Sequence, residues 1–147
     1  MPHQLDAQPI GRQIALTAKL VTHEFNAALV QAGGSLPTWL VLSTLKREQW
    51  PSQQKIAQAL GIEGPTLTRH LDTLEQMGLV KRTRDTTDRR TVHVESTEAG
   101  RALSEKMLEA AIAFDKQLRE GFSRDELDQL RTLLARLETN LRVSPGR

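Results

Sequence analysis

The run Gly61-Ile62-Glu63-Gly64-Pro65-Thr66-Leu67-Thr68-Arg69-His70-Leu71 leaves this chain few folds. A glycine ends a short helix, because it enters the left-handed region without a Cβ penalty. Three residues turn the chain, and a second helix opens on a proline, which the first helical turn tolerates. A hairpin follows: Leu79-Val80-Lys81-Arg82-Thr83-Arg84 goes out, Asp85-Thr86-Thr87-Asp88 turns, and Arg89-Arg90-Thr91-Val92-His93-Val94 returns. Two helices joined by a tight turn, then a basic hairpin, predict a winged helix-turn-helix.

The length of 147 residues suits a single domain with a modest core. No apolar run approaches the roughly 18 residues that a membrane span needs. The start, Met1-Pro2-His3-Gln4-Leu5-Asp6, lacks the basic and apolar regions of a secretory signal. Cysteine is absent, which excludes disulfides, zinc–thiolate sites and thiol-based peroxide sensing. The expected compartment is the cytoplasm. The four histidines, at 3, 23, 70 and 93, form no i, i+4 pair, so no metal site is expected. With no nucleophile-and-base set and no phosphate loop, neither enzyme activity nor a cofactor is expected.

The net charge of +2 is uninformative, but its distribution is not. Residues 81–90 hold five Lys/Arg against two Asp, whereas residues 98–142 carry nine acids and eight bases. Affinity for phosphate therefore concentrates on the hairpin.

Along the chain, residues 1–9 read as frayed. Ile14, Ala18, Val21, Phe25 and Ala28 then form one stripe of a long helix over about residues 11–32. Ser35 caps a second helix bearing Trp39, Leu40, Leu42 and Leu45, with Pro37 in its first turn. Ser52 caps a third, whose inner face is Ile56, Ala57 and Leu60. The fourth, from about Pro65 to Met77, turns Leu67, Leu71, Leu74 and Met77 inward and presents Pro65, Thr66, Arg69, Asp72, Thr73 and Gln76 outward. Gly78 closes it. Thr97 caps a fifth helix striped by Leu103, Met107, Ala110, Phe114 and Leu118. Ser123-Arg124-Asp125-Glu126 fits a capping box. It opens a sixth helix with Leu127, Leu130, Leu134, Leu137 and Leu141. The tail Val143-Ser144-Pro145-Gly146-Arg147 has a disordered composition. The fold class is thus mainly α with a small β-wing. A helix at 1–34, a winged helix-turn-helix at 35–96 and helices at 97–147 make up its regions, the two ends serving dimerisation.

Only residues near a recognition helix's N-terminus reach base edges in the major groove. Here these are Pro65, Thr66, Thr68 and Arg69, with Thr73 a turn further on. Arginine can donate a bidentate pair to guanine, and threonine offers a hydroxyl and a methyl. Arg84, Asp88, Arg89 and Arg90 form the second contact, because an arginine in a narrow minor groove meets enhanced negative potential. Asp88 is expected to brace one arginine while the other points outward.

The spacing of the fourth helix, of Leu79-Val80-Lys81-Arg82, of Asp88-Arg89-Arg90 and of Thr97-Glu98-Ala99-Gly100 resembles the MarR family of bacterial transcriptional regulators. The run from Gly61 through Glu75 looks most like its SlyA branch. The resemblance covers essentially the whole chain, with one departure: Ser96 stands where the family usually has an apolar residue. It implies an obligate homodimer on a pseudo-palindrome of double-stranded DNA, with Pro65, Thr66 and Arg69 in the major groove and Arg90 in the minor groove. It also implies a small aromatic acid or phenol as effector. The matching region holds Lys19 and His23 on the first helix and Thr38 and Trp39 on the second. The residues themselves leave alternatives open. Helices one, five and six can bundle within one chain or pack on a second copy. Trp39 can be core. The chain can regulate without a ligand by competing with other DNA-bound proteins, or use its winged helix to bind a protein.

Overall fold

Helix starts and stops follow the cap chemistry of the sequence. Over the described residues, 9–142, the computed structural model runs α1 (Ile10–Gln31), α2 (Leu36–Arg47), α3 (Gln53–Leu60), α4 (Gly64–Gln76), β1 (Val80–Arg84), β2 (Val92–Ser96), α5 (Glu98–Leu118) and α6 (Arg124–Arg142). Ser35 Oγ accepts from the Thr38 amide at 3.3 Å and Ser52 Oγ from the Lys55 amide at 3.2 Å. Each satisfies one of the orphan donors of a helix start. Gly61 leaves α3 at φ 66°, in the left-handed region. Pro9, expected in the frayed start, instead caps α1, its carbonyl accepting from the Arg12 amide at 2.9 Å. The rest of that start, residues 1–8, and the tail from Val143 lie outside the described residues.

The winged helix-turn-helix has one apolar core. Leu29 of α1, Val41 and Leu42 of α2, Ile56 and Ala57 of α3, and Leu67, Leu71 and Leu74 of α4 meet Leu79, Val80, Val94 and Met107. Fully burying each leucine contributes about 1.5–3 kcal/mol. Two expectations need correcting. Met77 is 57% exposed, because ten residues at about 100° each leave it about 80° short of three full turns from Leu67, off the inward stripe. In α1 the deepest residue is Leu29, outside the expected stripe, and in α2 Val41 is buried while Leu40 is 46% exposed.

The wing is an antiparallel pair with Val80 opposite Ser96 and Arg84 opposite Val92. The connection therefore spans residues 85–91, so Arg89 and Arg90 lie in the loop rather than on the returning strand. The hairpin's root explains the Thr97-Glu98-Ala99-Gly100 motif. Thr97 Oγ1 accepts from the Gly100 amide at 3.1 Å, capping α5, and donates to the Gly78 carbonyl; the Thr97 amide donates to the Leu79 carbonyl. A Cβ on Gly100 would lie 2.0 Å from the Leu79 carbonyl oxygen, so only glycine allows this approach. Ser96 adds an anchor, its carbonyl accepting from Arg101 Nη1 at 2.8 Å.

Residues from Ala113 onward form a second compact unit: the end of α5, a turn at Gly121 (φ 82°) and α6. The capping box is present, with the Glu126 amide donating to Ser123 Oγ and the Ser123 amide to Glu126 Oε1, both at 3.1 Å. The Ser123 amide foremost, and then the Ser123 hydroxyl, hold the Glu126 carboxyl below its ordinary pKa. No residue of α6 is buried.

Candidate nucleic-acid interface

The outward face of α4 is built from its first two turns. Pro65 and Arg69 are exposed, Thr66 and Thr68 half-buried, Thr73 exposed. Thr68 does more than face outward. Its hydroxyl donates to the Gly64 carbonyl at 3.1 Å and accepts from Gln53 Nε2 at 2.7 Å, tying α4 to the start of α3. The Thr73 hydroxyl turns back to the Arg69 carbonyl at 3.2 Å. Among the described residues the Arg69 guanidinium has no ion pair or hydrogen bond. Asp72, three residues on along the same helix, pairs with Arg82.

That pairing is the main feature the sequence reading missed. Arg82 Nη2 contacts both Asp72 Oδ1 and, at 3.1 Å, Glu75 Oε1, while the Arg82 amide donates to Glu75 Oε2 at 3.0 Å. The Arg82 side chain is only 20% exposed. Its hydrogen bond holds the Glu75 carboxyl below the ordinary range, and Glu75 in turn raises the guanidinium. Arg82, counted above toward affinity for phosphate, is thus neutralised. A signal was available. Period-two alternation puts Arg82 on the same face of β1 as buried Val80, and a cation there requires a partner. Asp72 and Glu75, three apart on α4, share the face that offers one.

The wing loop is organised by two aspartates. Asp85 Oδ1 accepts from the Thr87 amide and hydroxyl, each at 2.8 Å, and Oδ2 pairs with His93 Nε2 at 2.9 Å. Those contacts, the Thr87 amide foremost, hold the Asp85 carboxyl far below the usual carboxylate range. Asp88 Oδ1 accepts from the Arg90 amide at 3.0 Å and Oδ2 from the Thr91 hydroxyl at 3.3 Å. The expected brace therefore exists, but it grips the Arg90 backbone and leaves both guanidinium groups alone. Arg84 Nη1 donates to the Arg89 carbonyl at 3.1 Å, closing the loop. Arg89 and Arg90 are exposed and, among the described residues, without a carboxylate partner.

The effector residues are not gathered within one chain. Trp39 packs edge-on against Phe25, with ring centroids 6.3 Å apart, and lines a cavity of about 270 Å³ with Ser43, Lys46, Arg47, Ser104 and Leu108. Lys19 and His23 are exposed on α1, and the Thr38 hydroxyl accepts from Ser35 Oγ at 2.9 Å.

A recognition helix with a free arginine, joined to a hairpin with a free cationic tip, defines the class as a winged helix-turn-helix. The MarR family model matches residues 35–92, from α2 into β2, and this chain belongs to the MarR family. Members of this family are transcriptional regulators, not enzymes. The chain is 38% identical over 104 residues to the HTH-type transcriptional regulator PecS of Dickeya dadantii (strain 3937). That match covers 69% of this chain and 63% of PecS, just under two thirds of the relative's length. The transcriptional repressor CouR, solved on a 23-mer DNA duplex, is 27% identical with a TM-score of 0.80, covering 94% of this chain and 98% of CouR. CouR from Rhodococcus jostii RHA1 bound to p-coumaroyl-CoA is 28% identical with a TM-score of 0.72, covering 89% and 92%. No helix among the described residues is long and apolar enough to cross a membrane.

Proposed function

We propose that this chain is a sequence-specific transcriptional repressor, of the SlyA-like branch and cytoplasmic. It binds a pseudo-palindromic operator in double-stranded DNA as a homodimer. One observation carries the reading. Asp72, the acid nearest in sequence on the outward face of α4, is held by Arg82, so Arg69 stays free beside a wing whose Arg89 and Arg90 are also free. Pro65, Thr66, Thr68, Arg69 and Thr73 meet the major groove; Arg84, Asp88, Arg89 and Arg90 shape the wing that enters the flanking minor groove. The exposed leucines of α6, Leu130, Leu133, Leu134 and Leu141, at 40–79% exposure, support the second copy. An apolar face of this kind is stable in water when covered. Residues 1–34 and 97–147 then form the dimerisation regions, and residues 35–96 the reading head.

The effector is a small aromatic acid or phenol. Trp39 supplies the ring face, and Lys46 and Arg47 in the same cavity are the nearest cations for a carboxylate. Lys19 and His23 share α1 with Phe25, and Thr38 precedes Trp39 on α2. CouR, with its aromatic thioester ligand, supports the ligand class.

The test is selection of bound fragments from random duplex DNA, followed by footprinting. The expected site is two-fold related with half-site centres about 10 base pairs apart, so that both recognition helices reach one face. Recovery of no preferred duplex, or of a single asymmetric short site, contradicts the proposal.

A further inference from the structure

We propose that Arg82 is a positioning residue: clamped between Asp72 and Glu75, it fixes the angle between α4 and the wing, so that each half-site is read in two grooves as one unit. The inference rests on the DNA-binding reading above and concerns how that reading is made geometrically strict.

The clamp joins α4 to the strand beyond a short turn, whose own backbone bonds, the Gly78 amide to the Glu75 carbonyl at 3.0 Å and the Leu79 amide to the Leu74 carbonyl at 2.9 Å, end before β1. Between α4 and β1 lie only Met77, Gly78 and Leu79, and Gly78 sits at φ 74°, a left-handed position. Apolar contact of Leu74 with Leu79 and Val80 holds the hairpin against the core, yet such packing is not directional. Charge-assisted hydrogen bonds are directional. Glu75 uses both carboxylate oxygens, one on the Arg82 amide at 3.0 Å and one on its guanidinium at 3.1 Å. The strand backbone and the side chain are therefore fixed to the same acid. Asp72, one turn nearer the start of α4, takes the same Nη2 and sets the direction in which the arginine leans. The consequence is geometric. Arg69 sits one turn before Asp72, and Arg90 lies in the loop that β1 leads into, so the clamp lies along the chain between two guanidinium groups without a carboxylate partner among the described residues.

A plain electrostatic role predicts the opposite sign from a positioning role, which makes the inference testable. Asp72 and Glu75 are acids on the face of α4 that carries Arg69. If charge alone mattered, Asp72→Asn combined with Glu75→Gln would remove repulsion toward phosphate and tighten binding. If the clamp positions the wing, the same change weakens binding, by about tenfold on the scale of a single lost contact. The experiment measures operator affinity of the full-length protein at fixed salt, with hydroxyl-radical footprints of the minor groove flanking each half-site. It uses Asp72→Asn/Glu75→Gln and, separately, Arg82→Met, which keeps the arginine stem without its charge. Each is combined with Arg90→Ala.

The expected result is loss of flanking protection in both backgrounds while protection of the central major grooves persists. Arg90→Ala should then add little further loss, because the tip is already unseated. Tighter binding with intact flanking protection in the acid-to-amide variant overturns the inference, as does an undiminished effect of Arg90→Ala in either background. Failure of the parent protein to select any duplex overturns the DNA-binding reading itself, a separate outcome.

Discussion

The winged helix-turn-helix and the last helix handle their surfaces in opposite ways. Between α3 and the wing, polar side chains are committed inside the chain: Thr68 to Gln53, Arg82 to Asp72 and Glu75, Asp85 to Thr87 and His93. The few cations left over are the ones that could meet phosphate. In α6 the situation is reversed. Its polar contacts, such as the capping box and the Arg131–Asp128 pair, are exposed, and its leucines remain exposed beside them. Free charge marks one surface as unfinished and free apolar area marks the other. The first suits a polyanion, the second another copy of the same stripe.

The largest expected effect comes from breaking the apolar side. Leu130→Glu with Leu134→Glu places charges in the leucine face and should convert the proposed dimer to monomers at micromolar concentration, read by analytical ultracentrifugation. Specific operator binding should fall by more than 100-fold, since paired half-sites lose their linkage. A dimer of parental affinity would locate the interface elsewhere.

On the charged side, Arg69→Ala and Arg90→Ala should each cost about 1–3 kcal/mol of operator affinity. Arg69→Ala should also relax preference at one position per half-site, and Arg90→Ala should leave the thermal midpoint nearly unchanged. A uniform loss across all sequences for Arg69→Ala would make it a phosphate contact.

Gly100→Ala probes the root of the wing. Its Cβ would fall 2.0 Å from the Leu79 carbonyl oxygen, so overpacking should destabilise the fold by about 1–3 kcal/mol in urea unfolding. An unchanged midpoint would mean that the root yields freely.

Smaller again is the acid response of the wing loop. The Asp85 carboxyl is held below its ordinary value of 3.8, so its native contacts add stability that is fully present above that value. This contribution declines as pH falls below 3.8, toward the depressed native value. In Asp85→Asn the acid-side slope of stability should be shallower than in the parent. Identical slopes between pH 5 and pH 2 would remove Asp85 from the loop's support.

How much of this was legible in the sequence differs between the same two regions. Helix boundaries were, because caps are local: Ser35, Ser52, Gly61, Thr97 and the Ser123–Glu126 box each act within four residues of themselves. The leucine stripe of α6 was legible for the same reason, since periodicity is a property of one helix. Extrapolation failed where a helix ended, at Met77, and where a loop was longer than its turn signals suggested, at residues 85–91.

By itself the sequence determined the order of elements, the winged helix-turn-helix and the free face of α4, because these follow from dihedral preferences and period. Tertiary structure alone decided which charges are free. Arg82 and Arg90 are the same residue type on the same hairpin; strand alternation puts Arg82 on the face of buried Val80, but it does not name the partner that Arg82 finds there. Arg82 meets two carboxylates because Gly78 turns β1 back along α4, whereas Asp88 accepts from the Arg90 amide and the Thr91 hydroxyl and takes no guanidinium. An ion pair needs two side chains within a few ångströms, and that distance is set by how separate elements pack.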